Sequence, residues 1–391
     1  MSPSLSSLAD EVLAPTYVRP DTTFVSGDGS WLVDTDGRRF LDMTSGVAVN
    51  ALGHGSPIIQ RALRSAADGL IHTSNLFHTA PAVRLAAGLV ERSFADRVFF
   101  CNSGAEAVEG AIKFARLFGG PDRREIVYFD GSFHGRTLGA LAATDKPLAR
   151  EPFEPLPAGY TRATFGATDA LASISARTAA VIVEPVQGEG GLRIAPSDWL
   201  QALRIRCDAV GALLVFDEVQ CGLGRTGRLW AHEHSGVRPD IMTLAKPLAG
   251  GLPMGAVLMT ERVSARVTTG CHATTFGGGP FVASVALAVL DHIGTPSLLQ
   301  GVVERGAQLR SGLERLRGVS EVRGLGLMVG ARVQGGGKDL VRRAFEEGLL
   351  VVAAAQDVVR FLPPLNVGAA DVDEAVVRFG RALARGDGGT R

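Results

Sequence analysis

The stretch GALLVFDEVQCGLGRTG, residues 211–227, carries two signals that point to different folds. Residues 212–216 are an apolar run of strand length, followed by Asp217 and Glu218. Gly222, Gly224 and Gly227 then spell G-x-G-x-x-G, the fingerprint of a dinucleotide-binding turn. Such a turn opens a helix directly after its strand, so that phosphate meets the helix N-terminus. Here residues 218–221 separate Asp217 from the first glycine. The segment after Gly227, RLWAHEHSGVRPD, has no sustained helical stripe and is broken by Gly236 and Pro239. Asp240 stands about the right distance on for a ribose-binding acid, but it opens the next apolar run instead of ending one. The stretch therefore reads as a buried strand that ends in useful carboxylates, with the glycines forming an exit turn. A phosphate loop of the Walker type is excluded too. GSFHGRT has the wrong spacing and Arg in place of Lys, and GGGKD lacks the Ser or Thr.

Working outward, RVFFCN (97–102), EIVYFD (125–130), AAVIVEP (179–185), PDIMTLAK (239–246) and MGAVLM (254–259) join ALLVFDE (212–218) as strand-like runs. Helical patterns such as AEAVEGAIKFARLF (105–118) and SDWLQALRIRCDAVG (197–211) lie between them. Near-continuous apolar strands separated by helices predict an α/β fold, with a mainly parallel central sheet covered by helices. Ligands bind beyond the carboxyl ends of the strands in such sheets. Several of these runs end in chemically useful residues: Asn102-Ser103-Gly104, Asp130, Glu184, Asp217-Glu218 and Lys246. From Phe281 the texture changes to a long amphipathic run (298–318), short strands in LMVGARV and VVRFLPP, and a closing helix. This predicts an N-terminal arm over 1–45, a large domain over 46–280 and a small α+β domain over 281–391.

Composition narrows the function. Forty basic and forty acidic residues leave no net charge, which gives no footprint for nucleic acid or an anionic membrane. Only Lys113, Lys146, Lys246 and Lys338 supply amines. The four cysteines stand far apart, as expected of buried thiols in a reducing compartment. The first 15 residues lack the basic and apolar regions of a secretory signal. No stretch of about 18 apolar residues is present to span a bilayer. The expectation is a cytoplasmic protein. His232 and His234 have no matched partner at metal-ligand spacing, so they are expected as solvated loop histidines, and no metal is expected.

Asp217 at one strand end and Lys246 near another, with a strand-to-helix turn at Asn102-Ser103-Gly104-Ala105, would suit pyridoxal phosphate. That cofactor needs a Schiff-base lysine, an acid on its pyridine nitrogen and a phosphate cup. Each residue alone also has an ordinary reading: a strand-end cap, a solvated lysine, a helix N-cap. Together with LDMTSGVAVNALGHG, HTSNLFHTAP, FFCNSGAEAVEGAIKFAR, SFHGRTLGALAAT, VIVEPVQGEGG, TTFGGGP and VVRFLPPL, the chain resembles the class III, fold-type I aminotransferases that use pyridoxal phosphate. Within them it resembles the acetylornithine aminotransferase group, from about Leu41 to Leu365.

The resemblance implies roles for named residues. Lys246 bonds to the cofactor and moves the substrate proton, and Asp217 pairs with the pyridine nitrogen. Val219 and Phe133 sandwich the ring, and Gln220 reaches its phenolic oxygen. Ser103, Gly104 and Ala105 cradle the phosphate, while Thr275 serves the neighbouring subunit's phosphate in a homodimer. Arg136 grips the distal carboxylate of the substrate. Arg360 takes the α-carboxylate of glutamate, and Glu189 neutralises Arg360 when an ω-amine is bound. The implied reaction moves the terminal amine of N-acetylornithine, or a close acylated diamine, to 2-oxoglutarate by a ping-pong mechanism, giving the semialdehyde and glutamate. Ornithine, succinylornithine or a carrier-linked lysine are alternative donors, and a mutase or lyase on the same fold is an alternative outcome. Val108, Pro247, Gly279 and Ser56 depart from the pattern of the group.

Overall fold

The computed structural model describes residues 5–385. The ends of the expected arm and small domain, residues 1–4 and 386–391, lie outside the described residues. Seven strands form the central sheet: β1 (Arg97–Cys101), β2 (Glu125–Phe129), β3 (Tyr160–Ala163), β4 (Thr178–Val183), β5 (Leu213–Asp217), β6 (Ile241–Leu244) and β7 (Gly255–Met259). They lie in the order β1-β7-β6-β5-β4-β2-β3. Val215 of β5 stands opposite Ile182 of β4 and Ile241 of β6, all parallel. Only β7 opposes the rest, pairing antiparallel with both β6 and β1. The sequence pattern left β3 unread, because YTRA is short and only its last residue is buried.

Every residue of β4, β5, β6 and β7 is buried. That is why these strands read as unbroken apolar runs: helices cover both faces. Alternation along each strand divides the side chains between two cores. Helix Gly104–Gly119 packs Val108, Ala111 and Ala115 with Ile182, Val215 and Val257 on one side. Helix Ser197–Val210 packs Trp199, Leu200 and Leu203 with Val181, Leu214 and Phe216 on the other. Val108 is thus an apolar side chain in a wholly apolar layer.

A second sheet runs in the order Val319–Leu325, Met328–Val333, Val358–Phe361, Val352–Ala354, all antiparallel. Helices Pro296–Glu314, Gly337–Glu346 and Ala369–Ala384 back it. Val359 and Phe361 belong to the core formed with them. Arg360, between the two, consequently projects from the opposite face of the sheet. Strands Phe24–Asp28, Trp31–Asp34 and Arg39–Asp42 make a meander whose last strand runs parallel to Leu349–Leu350.

No α-helix follows the G-x-G-x-x-G glycines directly. The chain turns through 222–227 into the short 3-10 helix Ala231–His234. Gly224 has φ 83°, and a Cβ there would lie 2.8 Å from Ile293 Cγ2, so this glycine serves backbone conformation and packing. The Arg225 guanidinium is buried and donates to the carbonyls of Leu327 and Pro363. The turn fastens the large sheet to the second one. The reading of His232 as a solvated loop residue is corrected here. His232 is buried and hydrogen-bonded to Glu218, whose carboxylate also accepts the N–H groups of Ala231 and His232. His234, by contrast, is exposed, with its Nε2 3.1 Å from Thr226 Oγ1. Cys101, Cys207 and Cys221 are buried, whereas Cys271 is half-buried. Among the described residues, no single helix is long and apolar enough to cross a membrane.

Candidate active site

The loops beyond the carboxyl ends of β1, β2, β4, β5 and β6 converge on one cavity of about 250 Å³. Gly104, Ala105, Phe133, Arg136, Glu189, Asp217, Val219, Gln220 and Lys246 all line it, so nine of the twelve expected site residues meet there. Arg360 reaches the same place through its partners: Nη1 donates to Gln220 Oε1 at 2.8 Å and Nη2 to Glu189 Oε1 at 2.7 Å. Ser103 stands at the edge as the N-cap of helix Gly104–Gly119, its Oγ accepting from the Glu106 N–H. Thr275 lies elsewhere, in pockets formed with Asn75, Phe276 and Gly277–Gly279. It does not line the cavity of its own chain.

Lys246 sits two residues past β6. Pro247 turns the chain at once, with Leu248 N–H bonded to the Ala245 carbonyl at 2.7 Å, so the lysine is presented at the start of a turn. Its amine has no hydrogen-bond partner among the described residues. Burial, aided by the nearby Arg360 charge, brings its pKa down to about 8. A larger share of Lys246 is therefore unprotonated near neutrality than of an ordinary lysine.

Asp217 is the last residue of β5 and is held by three donors. His134 Nδ1 lies 2.7 Å from Oδ2, while Val219 N–H and Thr243 Oγ1 reach Oδ1 at 3.0 and 3.1 Å. Burial pulls the His134 pKa down, but the Asp217 hydrogen bond and charge, with Glu184, raise it overall. The imidazole is thus stabilised as a cation beside a fixed carboxylate. Glu184, just past β4, accepts from Phe133 N–H and Gly188 N–H. Burial lifts its pKa to about 7, against the pull of His134. Glu189 behaves in the opposite way. Burial would raise it, yet Arg360 and Lys146 bring it down to about 2, so it is ionised throughout the neutral range.

His134 carried no role in the sequence reading, although it sits inside the FHGRT segment. Only the fold shows that it meets Asp217, 83 positions away. Glu184 was visible as a strand-end acid without a partner, and Lys146 as one of four lysines.

The residues fit pyridoxal phosphate. At the cavity wall, the N–H groups of Gly104 and Ala105 open a helix and meet no acceptor among the described residues, which makes an anion site. A Cβ on Gly104 would lie 2.9 Å from Val219 Cγ1, so the cradle depends on a residue without a side chain. A fixed anion at Asp217 and an amine at Lys246 complete the donor set.

Comparison with known proteins agrees. The Aminotransferase class-III family matches residues 13–383. The mitochondrial acetylornithine aminotransferase of Alnus glutinosa is 49% identical over 389 residues, covering 96% of this chain and 86% of the relative. The acetylornithine aminotransferase of Methanocaldococcus jannaschii is 46% identical, covering 92% of this chain and 93% of the relative. The crystal structure of N-acetylornithine aminotransferase from Stenotrophomonas maltophilia superposes with a TM-score of 0.85 at 37% identity, covering 99% of this chain and 100% of that one. The chain belongs to the class III aminotransferases, and its cofactor is pyridoxal phosphate.

Proposed function

We propose that this enzyme transfers the terminal amine of N-acetylornithine to 2-oxoglutarate in two half-reactions at the Lys246 cavity. It would act as a cytoplasmic homodimer in which Thr275 serves the partner's cofactor site. The observation that carries this reading is the Arg360–Glu189 contact of 2.7 Å at the wall of that cavity. One site must first accept an amine with no carboxylate beside it, then 2-oxoglutarate, whose reacting carbon carries one. A buried guanidinium already neutralised by a carboxylate suits the first substrate. The same guanidinium, released, offers a planar fork for the second.

When bound, pyridoxal phosphate supplies the electron sink that makes the proton beside the amine removable. The protein does the rest. Lys246 Nζ, its pKa brought down to about 8, holds the cofactor and later takes the proton from the substrate carbon that carries the amine. Asp217, locked by His134, Val219 and Thr243, would hold a proton on the pyridine nitrogen. Gly104 and Ala105 would bind the phosphate, with Ser103 at the rim. Val219 and Phe133, which both line the cavity, would hold the ring between them. Gln220 already bonds to Arg360, so reaching the phenolic oxygen would involve its free amide nitrogen. Arg136 is exposed, has no described ion pair and stands 5.5 Å from the Phe133 ring centre. It is thus free to take the carboxylate far from the reacting amine. The relatives named as acetylornithine aminotransferases support this choice of donor.

The test is a panel of amine donors assayed against 2-oxoglutarate: N-acetylornithine, succinylornithine, ornithine, lysine and 4-aminobutyrate. N-acetylornithine should give the highest kcat/KM. A panel led by a free diamine or by 4-aminobutyrate would overturn the assignment of the donor.

A further inference from the structure

Glu189 has a second cation that the exchange at Arg360 leaves unused. Lys146 Nζ donates to Glu189 Oε2 at 2.9 Å while Arg360 holds Oε1. The two oxygens are divided between a fully buried guanidinium and an ammonium whose side chain is 44% exposed. Lys146 directly precedes the short helix Pro147–Arg150, and its ammonium stands 5.7 Å from the centre of the Phe133 ring. It also lines, with Glu189, Lys338 and Gln356, a cleft of about 990 Å³ between loops of the two sheets. Lys146 therefore stands at the mouth of the site and Arg360 in its depth.

An anionic substrate can occupy the Arg360 fork only if Glu189 gives up its Oε1 contact. A partly buried carboxylate that leaves its only cation is costly. Glu189 does not face that cost, because its other oxygen is already held. In the resting arrangement Lys146 shares the carboxylate with Arg360, and the two cations repel one another. Once Glu189 has left Arg360, Lys146 has the carboxylate to itself. The attraction of Lys146 is then worth more after the displacement than before it, and this lowers the cost of the move. We propose that Lys146 is a positioning residue that receives Glu189 when the α-carboxylate of glutamate or 2-oxoglutarate claims Arg360. It thereby tunes the enzyme toward its dicarboxylate substrate. This inference rests on the proposed roles of Arg360 and Glu189. Its flexible stem and solvated head suit Lys146 to follow a moving partner.

The test uses the cofactor-loaded enzyme and glutarate, an unreactive dicarboxylate, titrated by the absorbance of the bound cofactor. Lys146→Met, Glu189→Gln, the double variant and Arg360→Met are compared. Single-turnover rates with glutamate and with N-acetylornithine are measured in parallel. Lys146→Met should weaken glutarate and glutamate about three- to fivefold, the size of a partly screened ion pair. N-acetylornithine should stay within about twofold, Lys146→Arg should restore most of the loss, and Lys146→Met added to Glu189→Gln should change glutarate affinity by less than about twofold. Equal losses for both substrates would mean that Lys146 reads a carboxylate they share, and would overturn the inference. So would unchanged glutarate binding, or an undiminished effect in the Glu189→Gln background. If Arg360→Met abolishes glutarate binding while Lys146→Met leaves it intact, only the role of Lys146 falls. If Arg360→Met spares glutarate binding, the Arg360 role falls with it.

Discussion

Replacing His134 with Leu tests how the structure fixes Asp217. Asp217 accepts from three donors, of which His134 is the shortest at 2.7 Å and the only one that can carry charge. The imidazole is buried, and its Nε2 has no partner among the described residues. Leu of similar bulk therefore removes one unsatisfied polar atom and a single useful bond. A hydrogen bond to a charged group contributes about 1.5–3 kcal/mol. Transmitted fully to the carboxylate that meets the cofactor, its loss corresponds to a cofactor half-saturation about 10- to 150-fold higher. The assay is titration of the cofactor-free enzyme with pyridoxal phosphate for wild type, His134→Leu, Asp217→Asn and the double variant. Because His134 acts through Asp217, the second substitution should add little to Asp217→Asn. Unchanged half-saturation in His134→Leu would refute the reasoning. So would an equally large loss in the Asp217→Asn background, which would place the action of His134 elsewhere.

Arg360→Met removes a fully buried guanidinium and leaves Glu189 with Lys146 alone. The glutamate half-reaction should fall about 30- to 3,000-fold in kcat/KM, as for a lost buried charge pair, and the N-acetylornithine half-reaction less than about tenfold. Equal damage to both would count against the exchange. Lys246, with its pKa near 8, should be acylated in the cofactor-free enzyme with a rate that rises through a midpoint near pH 8; a midpoint above pH 10 would contradict its burial. Glu189 is held near 2 against an ordinary 4.5, so its stabilisation is present above pH 4.5 and lost as pH falls from 4.5 toward 2. Glu189→Gln should flatten that part of the acid-denaturation profile, and an unchanged profile would show the ion pairs to be too well screened to matter. Gly104→Ala puts a Cβ 2.9 Å from Val219 Cγ1. This overpacking, about 1–3 kcal/mol, should appear as weaker cofactor binding with little change in thermal midpoint, whereas wild-type loading would mean that Val219 moves aside without cost.

The central strands were legible in the sequence because burial on both faces removes every polar residue from β4 to β7 except Thr178, Asp217 and Thr243. The reactive residues were legible for the complementary reason, since they fall just where those runs stop. Lys246, Glu184 and Ser103 are each within two residues of a strand end. The reversed direction of β7 was not legible, because MGAVLM is buried on both faces whichever way it runs. Contacts distant in sequence were hidden as well. His134 meets Asp217 only once β2 and β5 share a sheet, and Lys146 meets Glu189 only through the loops beyond β2 and β4. His232 was misread because its spacing revealed no partner, while Glu218, 14 positions earlier, supplies one by folding back. The glycine fingerprint marks a turn that carries Arg225 into the second sheet.

The central claim is that one cavity accepts an acylated diamine and then a dicarboxylate. Mixing the cofactor-loaded enzyme with N-acetylornithine alone, and following the cofactor spectrum, tests it most directly. The amino form of the cofactor should accumulate within one turnover and revert on addition of 2-oxoglutarate, with glutamate released in equal amount. A spectrum that does not change with N-acetylornithine, or one that changes but does not revert with 2-oxoglutarate, would contradict the account.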